Sequence, residues 1–142
     1  MGTYEMEIEN KSTENELVTY ARTYAEVDLD AIRTNISNMK ANIASQTGII
    51  AVIKTDGYGH GAVPIAAALE SMPEIYGFAV ATVEEAHILR MSGVKKPVLI
   101  LGYTFPYSYE MLAVEEISPA VFREDSIPGL VEAARKAGKP IR

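Results

Sequence analysis

The chain has 142 residues, of which 48% are apolar and 23% are charged, and it contains no cysteine. This is the composition of an ordinary globular protein with one hydrophobic core. The formal net charge of −6 argues against a nucleic-acid partner, which requires a basic patch. The lack of cysteine excludes disulfides and thiolate metal sites, and a cytoplasmic location fits it. No apolar run approaches the ~20 residues of a membrane span.

The first 22 residues are polar and acidic, with five glutamates and one lysine before residue 19. This composition predicts a poorly ordered N-terminal extension over residues 1–22. The remaining residues, 23–142, are predicted to form one domain.

The domain begins with residues 24–29, whose alternation predicts a short extended segment. Asp30 is a plausible N-cap for the helix that follows, which carries an apolar stripe at helical spacing. The stripe consists of Ile32, Ile36, Met39 and Ile43.

An unbroken apolar run over residues 49–53 predicts a strand buried on both faces, as in parallel sheets. Lys54 closes this strand, and a glycine-rich turn containing Gly57, Gly59 and Gly61 follows it. A strand, a terminal lysine and such a turn could hold a small anionic ligand. The simpler interpretation is a tight strand-to-helix turn that needs positive φ.

Strands and helices then alternate to the end of the chain. Thr82 and Glu85 have the spacing of a capping box, Gly93 and Gly138 end helices, and Asp125 or Ser126 caps the last helix. The predicted segments are a helix over 64–69, strands over 77–81 and 97–102, a helix over 107–116, a weaker strand over 117–122, a helix to residue 137, and the approach to a fifth strand over 139–142.

Four successive strand–helix units predict a parallel sheet with right-handed connections. A doubly wound sheet could be complete at this length, whereas a (β/α)8 barrel needs about 200–250 residues. Because the chain ends soon after a well-terminated helix, we expect an α/β fold made of about half of a TIM-type barrel, truncated.

In either fold, ligands gather where the parallel strands end, and Lys54 is the best candidate there. A lysine amine forms a Schiff base with an aldehyde, and pyridoxal phosphate is the common aldehyde cofactor. Tyr58 could reach a phosphate oxygen. The competing interpretation is that Lys54 only pairs with Asp56.

The other polar residues near the strand ends suggest structural roles. His60 is expected to be hydrogen-bonded within the turn, Thr82 to be a cap, and Arg123 to be a solvated charge. The aromatic loop over residues 103–107 is expected to pack on itself. Neither histidine has carboxylates at metal-ligand spacing, so no metal site is predicted.

Two segments resemble the start of a bacterial alanine racemase. They are Y-A-E-V-D-L-D-A-I from Tyr24 and A-V-I-K-T-D-G-Y-G-H-G from Ala51. The K-x-D-x-Y-G-H-G core is the specific part, and Thr55 and Gly57 replace small residues of the family pattern. The resemblance covers roughly residues 24–142.

The resemblance implies a pyridoxal-phosphate-binding (β/α)8 barrel and a head-to-tail homodimer that interconverts L-alanine and D-alanine, the latter used for peptidoglycan. It implies that Lys54 holds pyridoxal 5′-phosphate and is one of two catalytic bases. Tyr58 would bind the cofactor phosphate, and Val52 and Leu101 would line the pocket. The second base, a tyrosine of the partner subunit, would lie beyond residue 142, so the chain is expected to be an N-terminal piece that is inactive alone.

Three alternatives remain open from the sequence. The chain could belong to a racemase for serine or a larger amino acid. It could instead be a non-catalytic pyridoxal-phosphate-binding barrel protein, although that family usually lacks the Y-G-H-G turn. It could also be an interaction module without a cofactor.

Overall fold

A computed structural model describes residues 23–142, which form a four-stranded parallel sheet with helices packed on one face. The strands are β1 (Ile49–Val52), β2 (Ile75–Val80), β3 (Val98–Ile100) and β4 (Ile117–Pro119). The helices are α1 (Leu29–Ala41), α2 (Lys54–Tyr58), α3 (Ala62–Leu69), α4 (Val83–Met91), α5 (Tyr109–Val114) and α6 (Ile127–Ala137). Short 3₁₀ turns, Pro106–Ser108 and Glu124–Ser126, precede α5 and α6.

The order of the strands distinguishes between the two candidate folds. The sheet runs β1-β2-β3-β4, and each strand is parallel to the next. A doubly wound sheet reverses its direction of growth and carries helices on both faces. A barrel adds every strand on the same side and keeps its helices outside. The described strands therefore follow the barrel pattern, and the predicted fold class is confirmed.

The hydrophobic core lies between the sheet and the helices. Phe78, Val80, Val98 and Ile100 point towards the helices and are fully buried. Leu69, Leu89 and Leu112 supply the helical side of the core and are also fully buried. This contiguous core fixes the strands, and so fixes the positions at which they end.

The opposite, inner face of the sheet is exposed at β1, which corrects one prediction. Ile50 and Val52 are 42% and 43% exposed, whereas Ile53 is only 3% exposed. The strand is thus buried on one face instead of two. An uninterrupted apolar run is typical of a barrel strand with a filled interior, but no described element covers this inner face.

The first helix begins earlier than predicted. Asp28, not Asp30, is the N-cap, and its Oδ1 accepts hydrogen bonds from the backbone N–H groups of Asp30 and Ala31, both at 2.9 Å. The extended segment therefore ends at Asp28 and pairs with no described strand. Two acids lie near the helix start, and the sequence alone does not show which one has non-helical backbone.

The later helix termini are partly as predicted. Thr82 caps α4, since its Oγ1 accepts from the N–H of Glu85 at 3.3 Å. Gly138 ends α6 in the left-handed conformation, with φ 64°. Ser126 occupies the N-cap position of α6, as one of the two predicted caps, but its side chain makes no capping bond, and Asp125 pairs with Arg123 instead.

The ends of the described region also differ from expectation. Residues 139–142 form no strand, and β4 stops at Pro119. The predicted acidic extension over residues 1–22 lies outside the described residues. None of the helices in residues 23–142 combines the length and apolar character needed to cross a bilayer.

Candidate active site at the end of the first strand

Lys54 lies where β1 leaves the sheet. The N–H of Ile53 donates to the carbonyl of Ala79 at 2.9 Å, which is the last hydrogen bond between β1 and β2. Lys54 follows Ile53, which is buried against the helices and whose backbone has already left the extended conformation, with ψ 26°. Lys54 itself is half-buried.

The segment after Lys54 is a left-handed helical turn. The φ values are 54° at Thr55, 50° at Asp56, 62° at Gly57, 57° at Tyr58 and 85° at Gly59. The left-handed conformation costs about 1–2 kcal/mol for each residue other than glycine, and a β-branched threonine there is unusual. Consecutive strained residues persist only where surrounding contacts impose them, often at functional sites.

A network of hydrogen bonds within the turn holds this conformation. The N–H of Gly57 donates to the carbonyl of Ile53 at 2.9 Å, and that of Gly61 donates to the carbonyl of Asp56 at 2.9 Å. The Asp56 carboxylate accepts from the N–H of Ala62, the first residue of α3, at 2.8 Å. The turn is therefore joined to the strand before it and to the helix after it.

His60 also belongs to this network. Its Nδ1 lies 3.1 Å from the carbonyl oxygen of Gly57. Since a carbonyl only accepts, Nδ1 carries the hydrogen. The hydrogen bond agrees with the structural role expected for His60.

The same network means that the turn does not form a cradle for an anion. Backbone N–H groups must be free and convergent to bind a phosphate. Here the donors are already used within the turn or by the strand and the Asp56 carboxylate. They belong to Gly57, Gly59, His60, Gly61 and Ala62. That the strand, Lys54 and the turn together hold a small anion stays a prediction, whereas the prediction of a positive-φ turn is confirmed.

Glu85 was missed by sequence reasoning, which treated it only as part of a capping box. Its carboxylate does not return to Thr82. Instead, Oε1 accepts from the N–H of Thr55 and Oε2 accepts from the N–H of Ala81, both at 2.7 Å. No sequence signal distinguishes this role, because a capping glutamate and a bridging glutamate occupy the same position in the pattern.

The predicted pairing of Lys54 with Asp56 is absent. No carboxylate of residues 23–142 lies within 4.0 Å of the Lys54 ammonium group. The Asp56 carboxylate faces Ala62 instead. Lys54 is therefore half-buried without an acidic partner among the described residues, which favours a chemical role over a simple ion pair.

The other predicted site residues are all partly exposed to solvent. Tyr58 is 59% exposed at the end of the left-handed turn. Val52 and Leu101, which are 43% and 44% exposed, lie at the ends of β1 and β3 on the inner face. Ala79, which pairs with Val52 and Leu99 on the strand between them, is only 1% exposed. The roles of these residues remain predictions.

Polar residues at the third and fourth strand ends form separate groups. Arg123 and Asp125 make an exposed ion pair, which raises the pKa of the Arg123 guanidinium and lowers the pKa of the Asp125 carboxyl. The ring centres of Tyr103 and Phe105 are 4.9 Å apart, edge to face, in agreement with a loop that packs on itself. Within residues 23–142, no cluster of three or more His, Cys, Asp or Glu side chains could hold a metal ion.

The fold and the position of Lys54 in the sequence place the chain in the class of (β/α) barrels that carry a lysine after the first strand. Comparison with known proteins identifies the family within this class. The family described as alanine racemase, N-terminal domain, matches residues 27–142. The chain belongs to this family.

Individual relatives agree with this assignment. The alanine racemase of Symbiobacterium thermophilum is 42% identical over 82% of the chain and 30% of its own length. An alanine racemase structure from Clostridium difficile 630 matches with a TM-score of 0.80 and 35% identity, covering 85% of this chain and 32% of that one. A histidine racemase from Leuconostoc mesenteroides matches with a TM-score of 0.70 and 26% identity, covering 80% and 30%. The chain thus spans about a third of the length of these relatives.

Proposed function

We propose that the chain provides the lysine-bearing face of a pyridoxal 5′-phosphate-dependent alanine racemase. The observation that carries the proposal is the position of Lys54. Lys54 is half-buried directly after β1 and Ile53, without an acidic partner among residues 23–142, and the strained turn that follows it is held by Glu85. The similarity to alanine racemases supports this function.

The described residues fit the cofactor in three respects. Lys54 offers a primary amine to the cofactor aldehyde. Val52 and Leu101 offer exposed apolar surface on the inner face, suited to a flat aromatic ring. The hydroxyl group of Tyr58 can donate to a phosphate oxygen. Since the turn amides are already bonded, most ligands of the phosphate would come from elsewhere in the protein.

When bound, the cofactor withdraws electrons from the α-carbon of an amino acid and makes its proton acidic. The role of this chain is to move that proton. Lys54 would hold the cofactor, and its amine would accept or return the α-proton on one face of the substrate. Racemisation needs a second group on the opposite face, and a tyrosine of the partner subunit in a homodimer is the proposed donor.

The proposal is tested by trapping the lysine. The 142-residue chain is mixed with pyridoxal 5′-phosphate, reduced with borohydride and mapped by peptide mass spectrometry. We expect the phosphopyridoxyl group on the peptide that contains Lys54, and we expect Lys54→Ala to abolish it. Lys136→Ala, which removes one exposed amine far from the site, is the matched control and should keep the label. Equal labelling of all lysines would contradict the proposal.

The wider setting is also a proposal. We propose a cytoplasmic homodimer that supplies D-alanine for peptidoglycan, with an amino acid as its small-molecule substrate and with neither nucleic acid nor a membrane as a partner. The similarity to a histidine racemase makes a larger amino acid the second candidate substrate. Competition between alanine and histidine for the trapped lysine would separate the two.

The chain by itself is not expected to racemise alanine. Lys54 serves one face of the substrate, and the chain covers only about 30% of the length of its relatives. The measurement is D-alanine formation by the purified chain with added cofactor. Turnover at ordinary enzyme rates would show that the opposite face is complete within these 142 residues.

A further inference from the structure

Glu85 makes contacts that are unusual for a helix-capping glutamate. It lies in the first turn of α4, yet its two carboxylate oxygens bind the backbone of two strand ends. Oε1 accepts from the N–H of Thr55, directly after Lys54, and Oε2 accepts from the N–H of Ala81, directly after β2. One side chain thus joins the two strand ends that flank the proposed lysine site.

The register of the sheet explains why both N–H groups are available. Val52 pairs with Ala79 in a parallel ladder. If that ladder continued, the N–H of Ala81 would donate to the carbonyl of Ile53, and the N–H of Thr55 would donate to the carbonyl of Ala81.

Neither of these two ladder bonds forms. The carbonyl of Ile53 accepts from Gly57 instead, at 2.9 Å. The carbonyl of Ala81 lies against Gly102, where a Cβ atom would be only 2.4 Å away. The Glu85 carboxylate therefore replaces the next two hydrogen bonds of the ladder at the point where β1 and β2 separate.

This replacement fixes the backbone on both sides of Lys54. On one side, the N–H of Ile53 is bonded to Ala79. On the other side, the N–H of Thr55 is bonded to Glu85, and Thr55 is the first residue of the left-handed turn. Bonds to an ionised carboxylate are stronger than bonds to a neutral acceptor, so Glu85 is well suited to impose a conformation that threonine disfavours.

We infer that Glu85 is a positioning residue, whose carboxylate holds the backbone of Lys54 so that the amine projects from the inner face. This inference rests on the proposed function of Lys54. Glu85 acts through two backbone N–H groups and makes no contact with the amine itself.

The test compares two neighbouring glutamates. Glu85→Gln keeps the size of the side chain, but one of its ends becomes an NH2 group that faces a backbone N–H. Glu84→Gln removes the same charge from the same turn of α4, at an exposed position. The rate of borohydride-trapped labelling of Lys54 by pyridoxal 5′-phosphate is measured, with folding of each variant verified by circular dichroism.

We expect Glu85→Gln to slow labelling of Lys54 by roughly tenfold or more, as a misplaced reactive group does, and to shift the pH dependence of labelling. Glu84→Gln should label at the rate of the unchanged chain. If folded Glu85→Gln also labelled at that rate with the same pH dependence, the inference would be overturned.

A second measurement needs no variant. In an NMR titration of the unchanged chain, the amide signals of Thr55 and Ala81 should move together as one carboxylate gains its proton. Independent movement of the two signals would overturn the inference even if Glu85→Gln did not fold. If the unchanged chain failed to label at Lys54, the proposed function would fail, and this titration would still decide whether Glu85 joins the two strand ends.

Discussion

Two glycines allow the left-handed turn to be tested against a matched position elsewhere. Gly59 lies in the turn after Lys54 with φ 85°, and Gly93 follows α4 with φ 97°. A Cβ atom added at either position would meet no other atom within 4 Å. Alanine at either site therefore introduces backbone strain without a steric clash.

The expected size of the effect follows from this geometry. An L-residue in the left-handed region costs about 1–2 kcal/mol, and replacing glycine by alanine recovers about 0.4–1 kcal/mol by restricting the unfolded chain. The free energy of unfolding should thus fall by about 1 kcal/mol in each variant, which changes the folding equilibrium about fivefold. Although the two losses should be similar, only Gly59→Ala alters the turn that carries Lys54 and Tyr58.

Urea unfolding followed by circular dichroism measures the stability, and borohydride trapping measures the reactivity of Lys54. We expect equal stability losses, with slower labelling only in Gly59→Ala. Unchanged stability in Gly59→Ala would refute the left-handed turn. Equal loss of labelling in both variants would show that labelling follows global stability and not the geometry of the turn.

Three further predictions concern contacts around the sheet. Arg90→Lys should lower the free energy of unfolding, measured in urea, by roughly 2–3 kcal/mol. The guanidinium group of Arg90 donates to four backbone carbonyls at 2.8–2.9 Å, and an ammonium group cannot match that planar arrangement. An unchanged unfolding midpoint would contradict this prediction. Asp56→Ala should lower the free energy of unfolding by about 1 kcal/mol in the same assay, as loss of a helix cap does, because the Asp56 carboxylate accepts from the N–H of Ala62. Asp56→Asn keeps an acceptor and should lower it less. Arg123→Gln should raise the pKa of Asp125 in an NMR titration, because Arg123 is the main cause of its lowered pKa. As this pKa is depressed in the folded chain, the stabilisation is present above the ordinary aspartate pKa and is lost as the pH falls through the lowered value.

The sequence predicts the order of the elements well, because each strand is a short apolar run and each helix has a recognisable end. Gly93 and Gly138 end their helices with positive φ, as expected. Thr82 caps its helix as predicted, because a threonine followed by an acidic first turn marks a helix start clearly.

Predictions fail where two residues of the same type compete locally. Asp28 and Asp30 are both suitable caps, and the choice depends on which backbone is extended. Similarly, Ile50 and Ile53 are equally apolar, although one faces the helices and the other faces the open side of the sheet. Composition cannot separate these pairs, because the difference arises from tertiary packing.

The sequence singles out Lys54 as the candidate reactive residue, but it does not reveal the contacts that hold the backbone beside it. Lys54 is conspicuous in the sequence because a charged residue directly follows a buried strand. The contacts of Glu85 depend on the register between β1 and β2 and on the loss of their next hydrogen bonds. That register pairs Val52 with Ala79, which are distant in the sequence, and no local pattern encodes it.

The left-handed turn has a physical consequence for any ligand that binds beside it. Its own hydrogen bonds use the amides of Gly57, Gly59, His60 and Gly61, so these amides contribute rigidity and not contacts to a ligand. Of its non-glycine residues, Asp56 ties the turn to α3, Thr55 presents its N–H to Glu85, and Tyr58 is left exposed beside the open face. A turn whose polar groups are hydrogen-bonded within the protein is rigid, and a rigid turn is suited to holding the neighbouring amine in a fixed position. Selectivity for the ligand must then come mainly from groups that approach from the other side.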